Sequence, residues 1–464
     1  VSLTPSPPLP KLVVVSNRLP IAYREDSTGA TIPRLSPGGL VAALAPALAG
    51  SGAAWVGWDG TFSGSEEPLD LEGFSLQPVS LTQAQITNHY EGLSNSSLWP
   101  LFHNVGVNPE YSEAWWADYL QVNRLFAQRV CNVVAEDGTV FVQDYQLMLV
   151  PEFVRSLRPD VAIGYFHHIP FPDATHVAGF EHAAELLEGL GACDVVGFQR
   201  QSDVDHFRAC LQELNPSVEG TSLPHSAAYP ISIDSAAVST AASQPMVLAK
   251  AQEYATSWGN PEWVFLGVDR LDYTKGITQR LLAFEELLAS GAVSADTAVF
   301  VQAGSPSREN VARYQQLSAE IDAIIERVNT TFPSVTGRPA VVYLRENLPR
   351  TDMLALFVVA DVMVVSSLAD GMNLVAKEFV AARHNDTGVL ILSTHAGAAE
   401  QMPEALLVDS FVVSDITKVM QEALIMEKGE TARRMKQLRA DVAIHDVAEW
   451  ATTILGDLSQ ARKA

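Results

Sequence analysis

The chain has 464 residues, of which 47% are hydrophobic and 18% charged, a composition with ample core that excludes a disordered chain. Its formal charge of −24 argues against nucleic acid or an anionic membrane as partner, and any phosphate site must be a local cluster of Arg and Lys in an acidic exterior. Length favours two large domains over one or three.

Val1 to Pro10 is Ser/Pro-rich, lacks the character of a signal peptide, and is expected to be loose. Lys11 to Val15 is a β-branched run that sets Arg18 at the C-terminal lip of a first strand, where ligands sit in open α/β sheets. Gly38-Gly39 precedes an Ala/Leu-rich helix (Val41 to Leu48), either as a plain turn or as a place where a ligand approaches the backbone. Ala53 to Trp58 reads as the next strand. Tyr90, Trp99, Phe102, His103, Tyr111, Trp115, Trp116 and Tyr119 form an aromatic-rich stretch, mostly core, with some rings available to line a sugar pocket. Cys131, Cys193 and Cys210 have no metal-like spacing and read as reduced core thiols of a cytoplasmic protein.

Three further strands end in polar residues: Val140-Phe141-Val142 at Gln143-Asp144, Ile163 to Phe166 at His167-His168, and Val195 to Phe198 at Gln199-Arg200. Adjacent histidines on a strand point to opposite faces, so His167 and His168 do not share a metal; one is structural and the other a ligand contact. Residues 215–230 are loop, and a linker is expected around Ile231 to Ala242.

The alternation then repeats. Glu262 to Val268 ends in Asp269-Arg270 and, after a turn, Lys275-Gly276, two cations placed to clamp a diphosphate. Ala298 to Gly304 leads to Arg308, Gly388 to Ser393 leads to His395-Ala396-Gly397, and no segment approaches a membrane span. Most informative is 360–378. A buried strand (Ala360 to Ser367) meets the turn Asp370-Gly371, with Gly371 expected at positive φ, and a helix over Leu374 to Arg383. Free amides at Met372, Asn373, Leu374 and Val375 would hold a phosphate, with Glu378 near a ribose; alternatively Asp370 and Asn373 merely cap the helix. Two doubly wound halves with polar strand ends suggest two facing Rossmann-like domains with the active site in the cleft between them. The boundaries expected are 1–236, 237–445, and a last helix in 446–464 packing back on the first domain. No G-x-G-x-x-G follows the first strand, which weakens a dehydrogenase reading.

Taken together, Ser16-Asn17-Arg18, Gly38-Gly39-Leu40, Tyr90 with Ser94-Asn95 and Leu98-Trp99-Pro100, Asp144-Tyr145, His168 to Pro172, Arg270 to Gly276 and Asp370 to Glu378 resemble the trehalose-6-phosphate synthases. These are retaining glycosyltransferases of family 20 with the GT-B fold, and the likeness is greatest to the actinobacterial branch. The resemblance implies transfer of glucose from a nucleoside-diphosphate glucose to glucose 6-phosphate, with no metal and no cofactor. Arg18, Tyr90, Trp99 and Arg308 would hold the acceptor, with Arg18 and Arg308 on its phosphate, and Asp144 near its anomeric hydroxyl. His168 would contact the donor sugar, Arg270 and Lys275 the diphosphate, Gly38 and Gly39 the donor phosphate, and Glu378 the ribose. Asp370 and the following Gly371, Met372, Asn373, Leu374 and Val375 would hold donor glucose and phosphate. Asp144, His168, Arg270 and Lys275 are the residues expected to carry the chemistry. Dimers and tetramers are common in such enzymes, which leaves a homo-oligomer open. A pseudo-glycosyltransferase with another acceptor, a silent sugar-phosphate sensor and a phosphorylase remain alternatives. Many relatives carry His at positions 143 and 146, and an Arg where Ala369 stands.

Overall fold

The structure, a computed structural model, describes residues 9–25, 31–35, 44, 52–61, 66–214, 223–305, 308 and 311–461. Gly38 and Gly39 lie outside them, as does most of the helix expected over Val41 to Leu48. The chain divides into two compact units, Val1–Ile231 with Val447–Ala464, and Ser232–Asp446.

In the first unit, β1 (Leu12–Arg18) is an apolar run whose Val13, Val14 and Val15 are fully buried, as a strand covered on both faces requires. A hairpin that the sequence did not announce follows, β2 (Ile21–Glu25) and β3 (Thr31–Leu35). Next come β4 (Ala54–Trp58), β5 (Leu69–Leu71), β6 (Phe74–Pro78), β7 (Thr139–Gln143), β8 (Ala162–Phe166), β9 (Val195–Phe198) and β10 (His225–Ala228). The main sheet runs β10-β9-β8-β7-β1-β4-β6-β5. Its pairs are parallel apart from β5 with β6. The chain winds outward from β1 to one side, then crosses to β7 and winds outward on the other. The order therefore reverses between β1 and β7, where a crevice opens at the strand C-termini.

The helix Val447–Ala461 closes this unit over β8 and β9. Trp450 Nε1 donates to Tyr229 O at 3.1 Å, and Tyr229 OH donates to Asp457 at 2.7 Å. Gly164 and Gly197 make the approach feasible: a Cβ on either would stand 2.5 Å from Leu458 or 2.9 Å from Ile454.

The second unit has β11 (Trp263–Arg270), β12 (Ala298–Ser305), β13 (Val341–Leu344), β14 (Val362–Val365), β15 (Val389–Ser393) and β16 (Leu406–Val408). They form a parallel sheet in the order β13-β12-β11-β14-β15-β16. Here the reversal falls between β11 and β14. The linker expected around Ile231 to Ala242 is largely a helix, Ser235–Ala242, because Asp234 caps an alanine-rich segment by accepting from the Ala237 amide at 2.8 Å.

Candidate active site

In the first unit a cavity of about 310 Å³ opens at the β1/β7 reversal. Arg18 and Asn17 come from the end of β1, Trp55 from β4, Gln143 and Asp144 from the end of β7, and His168 from the end of β8. Trp55 went unmarked as a site residue in the sequence, where it reads as a core strand residue; its Nε1 donates to Ser16 Oγ at 2.7 Å, and its ring borders the cavity. The Arg18 guanidinium lies over the Trp58 ring, 5.1 Å from its centroid.

Tyr90 reaches the cavity from a π-helix, Ile86–Leu98, a rare geometry that concentrates at functional sites. Its wide turns are held by side chains reaching back five residues: Asn95 Nδ2 donates to Tyr90 O at 2.7 Å, and Ser96 Oγ to Glu91 O at 2.9 Å. Tyr145 OH donates to Asn95 Oδ1 at 3.0 Å, so one amide ties the Tyr90 backbone to the turn beside Asp144. Trp99, expected among the acceptor residues, is only 4% exposed and packs between His103 and Tyr145 rather than on the cavity wall.

Asp144 has φ 74° and ψ 167°, a region essentially reserved for glycine. Its Oδ1 accepts from the His168 amide at 3.2 Å. His167 is fully buried, with Nδ1 to the Tyr165 hydroxyl at 3.0 Å, whereas His168 borders the cavity. Burial holds both rings, and that of His89, down at about 3, so all three are neutral at physiological pH.

The second unit gathers its polar residues at the β11/β14 reversal. Lys275 Nζ meets Asp370 Oδ2 at 2.7 Å, and the same oxygen accepts from Ser367 Oγ at 3.2 Å and Asn373 Nδ2 at 3.0 Å. Gly276, at φ 59°, lets this turn lie against β14's end; a Cβ there would fall 1.9 Å from Ser366 O. The left-handed residue of the Asp370 stretch is Asn373 (φ 88°), and not Gly371 as expected. Asn373 can adopt that conformation because its side chain is bonded locally: Oδ1 caps the helix Leu374–Ala382 by accepting from the Ala376 amide at 2.9 Å. Asn373 is thus the N-cap and Met372 precedes the helix, so the first helical amides are those of Leu374 and Val375. The cap is therefore compatible with an anion site, since it consumes the Ala376 amide and leaves the amides of Leu374 and Val375 before it.

Arg270 is exposed at the end of β11. Arg308, at φ 51°, lies in the second unit with Nη1 on Asp272 Oδ2 at 2.7 Å, and Tyr314 OH donates to that oxygen at 3.1 Å. Burial would raise Asp272, but the charges of Arg308 and Arg270 bring its carboxyl below the usual range. Glu378 is half-buried and pushed up by burial, with Arg350 opposing. Beneath the site, fully buried Arg280 pairs with Asp269 at 2.7 Å and donates to Gln302 at 2.9 Å. The sequence carries a signal for it, an arginine set in the apolar stripe of Ile277, Leu281 and Phe284. Lys377 is buried too, bonded to Gln401 at 2.6 Å and lowered by burial to about 7. Among the described residues no group of three or more His, Cys, Asp or Glu is placed to hold a metal ion, and no helix is long and apolar enough to cross a membrane.

Comparison with known proteins adds to this geometry. The model of glycosyltransferase family 20 matches residues 10–460. A trehalose-6-phosphate synthase of Mycolicibacterium gilvum is 42% identical, over 99% of this chain and 96% of that protein. Among solved structures, a UDP-forming α,α-trehalose-phosphate synthase from Burkholderia xenovorans in complex with glucose 6-phosphate is 28% identical with a TM-score of 0.88, covering 97% of this chain and 100% of that one. A structure from E. coli, bound with UDP-2-fluoro glucose, is 29% identical with a TM-score of 0.87, covering 97% and 99%.

Proposed function

The chain belongs to glycosyltransferase family 20, and on that footing we propose that it transfers glucose from UDP-glucose to glucose 6-phosphate, releasing α,α-trehalose 6-phosphate and UDP. Its fold is GT-B, with two Rossmann-like units. The relative at 42% identity carries the name of this reaction, and the two solved structures bind the acceptor and a donor analogue. The carrying observation is that each unit concentrates polar residues at its own topological switch point: one cavity lined by Asn17, Arg18, Tyr90, Asp144 and His168, and one helix start beside the Lys275–Asp370 pair.

In this reading Arg18, Tyr90, Trp55 and Asp144 hold the acceptor, with Trp99 supporting them from behind. Lys275 offers three donors; one is engaged by Asp370, leaving two for diphosphate oxygens. As the bond between the anomeric carbon and the diphosphate oxygen breaks, charge grows on the leaving phosphate. Arg270, Lys275 and the Leu374 and Val375 amides stabilise it there, and Glu378 binds the ribose. The acceptor hydroxyl attacks from the face the phosphate leaves, passing its proton to a phosphate oxygen, which gives retention without an enzyme nucleophile.

The test is turnover of purified protein with glucose 6-phosphate and, in parallel, UDP-, GDP- and ADP-glucose, identifying sugar product and nucleotide. Trehalose 6-phosphate from UDP-glucose supports the proposal. The same product from only another donor corrects the base, and no disaccharide from any donor refutes the activity.

A further inference from the structure

Gln143 closes β7 and is only 1% exposed, yet it borders the first unit's cavity together with His168. Its Oε1 lies 3.0 Å from His168 Nε2. With the amide in this orientation the carbonyl oxygen accepts, so Nε2 carries the proton, and in a neutral imidazole Nδ1 is then the bare, accepting nitrogen. The Phe166 ring packs on the imidazole at 4.6 Å, and Asp144 holds the His168 backbone amide, so the ring is fixed in orientation as well as in tautomer.

The other titratable and charged groups near His168 leave this assignment in place. Asp144, from the end of β7, is engaged with the backbone amide; Arg18, from β1, and Tyr90, from the π-helix, lie along the cavity; and His167, next in the chain, pairs with Tyr165. Gln143 Nε2 meanwhile finds no partner among the described residues. A side chain kept only to fill this space would be apolar and would leave no donor unsatisfied.

We propose that Gln143 is a positioning residue that presents His168 to the substrate sugar as a neutral hydrogen-bond acceptor. The sugar hydroxyl that meets His168 is then the donor of that bond, and protonation of the ring abolishes it. Burial, which holds His168 at about 3, acts in the same direction. The inference rests on the glucosyl-transfer reading above, and its test separates the two.

In wild-type protein labelled with 15N-histidine, the His168 signal, identified by its loss in His168→Gln, should show protonated Nε2 and bare Nδ1 at neutral pH. In Gln143→Met the ring should lose this fixed tautomer and show exchange between the two. Gln143→Glu sets a carboxylate against Nε2 and should draw the His168 titration up into the range of an ordinary histidine or above. Its kcat/KM should then fall with decreasing pH through that new value, while the wild-type profile has no such limb. A bare Nε2 in the wild type, an unchanged tautomer in Gln143→Met, or a Gln143→Glu profile parallel to the wild type overturns the assignment. Should Gln143→Glu not fold, the wild-type and Gln143→Met spectra decide alone. If no variant and no wild-type sample transfers glucose, the activity proposal fails while the spectra still judge Gln143.

Discussion

Asp144 offers a direct test of whether backbone strain is being held in the candidate site. At φ 74° and ψ 167° a residue with a Cβ costs about 1–3 kcal/mol relative to a relaxed one, and glycine does not. Asp144→Gly and Asp144→Ala both lose the carboxylate and its 3.2 Å contact with the His168 amide, so those losses cancel when the two variants are compared. What remains is relief of strain in the glycine variant, offset by about 0.4–1 kcal/mol for the greater freedom of glycine in the unfolded chain. The glycine variant should therefore be the more stable by roughly 0.5–2 kcal/mol, or a few degrees in Tm for a unit of this size. Thermal melts of the two ligand-free variants, alongside the turnover assay, measure this. Both should be severely impaired in transfer, so that stability and activity diverge at one position. A glycine variant that melts at or below the alanine variant would refute the strain.

Three other changes have defined outcomes. Lys275→Ala should lower kcat by about 10²–10³-fold, the usual effect of removing one preorganised donor from developing charge; steady-state kinetics that show only a raised donor KM would contradict that role. Asn95→Ala removes the link between Tyr90 and Tyr145 and should destabilise the protein by about 1–3 kcal/mol while raising the KM for glucose 6-phosphate. Denaturant midpoints and acceptor titrations check both parts, and an unchanged acceptor KM would free Tyr90 of dependence on Asn95. His89, His167 and His168, each near 3 when folded and near 6.5 when unfolded, make the unfolded chain bind more protons between those values. Stability should therefore be lost as pH falls below about 6.5, with each histidine contributing up to about 1.4 kcal/mol per pH unit. His89→Gln should reduce the slope by one proton, and identical acid limbs for wild type and variant would contradict a neutral buried His89.

Much of the architecture was legible because buried parallel strands are compact apolar runs. Val13 to Val15, Val140 to Val142 and Val362 to Val365 each read as strands, and the polar residue following each run marks the lip where ligands gather. The less legible features depend on contacts between distant residues. The π-helix at 86–98 follows from Asn95 and Ser96 bonding five residues back and from Tyr145 gripping Asn95, none of which periodicity records. Composition points to Gly371 for positive φ, glycine being its usual tenant, yet Asn373 takes it through its cap to Ala376 and its bond to Asp370. The apolar stripe around Arg280 marks it as a buried arginine, but only the fold brings its partners Asp269 and Gln302 to it. Ser235 to Ala242 resembled a linker in composition, where a single aspartate cap was enough to make it helical.

The helix Val447–Ala461 also sets a timetable for biosynthesis. Trp450 and its partner Tyr229 are 221 residues apart, and the whole second unit is translated between them. At ribosomal speeds of about 5–20 residues per second, β8 and β9 wait on the order of ten to forty seconds for their cover. During that interval the groove floored by Gly164 and Gly197, with Phe166 and Tyr229 beside it, stands open in the nascent chain. The residues of the second unit are contiguous in the chain, whereas the first is complete only once a helix encoded after the second has been made. A stop codon just before Val447 would leave that groove uncovered, and so should cost more than the loss of one surface helix would suggest.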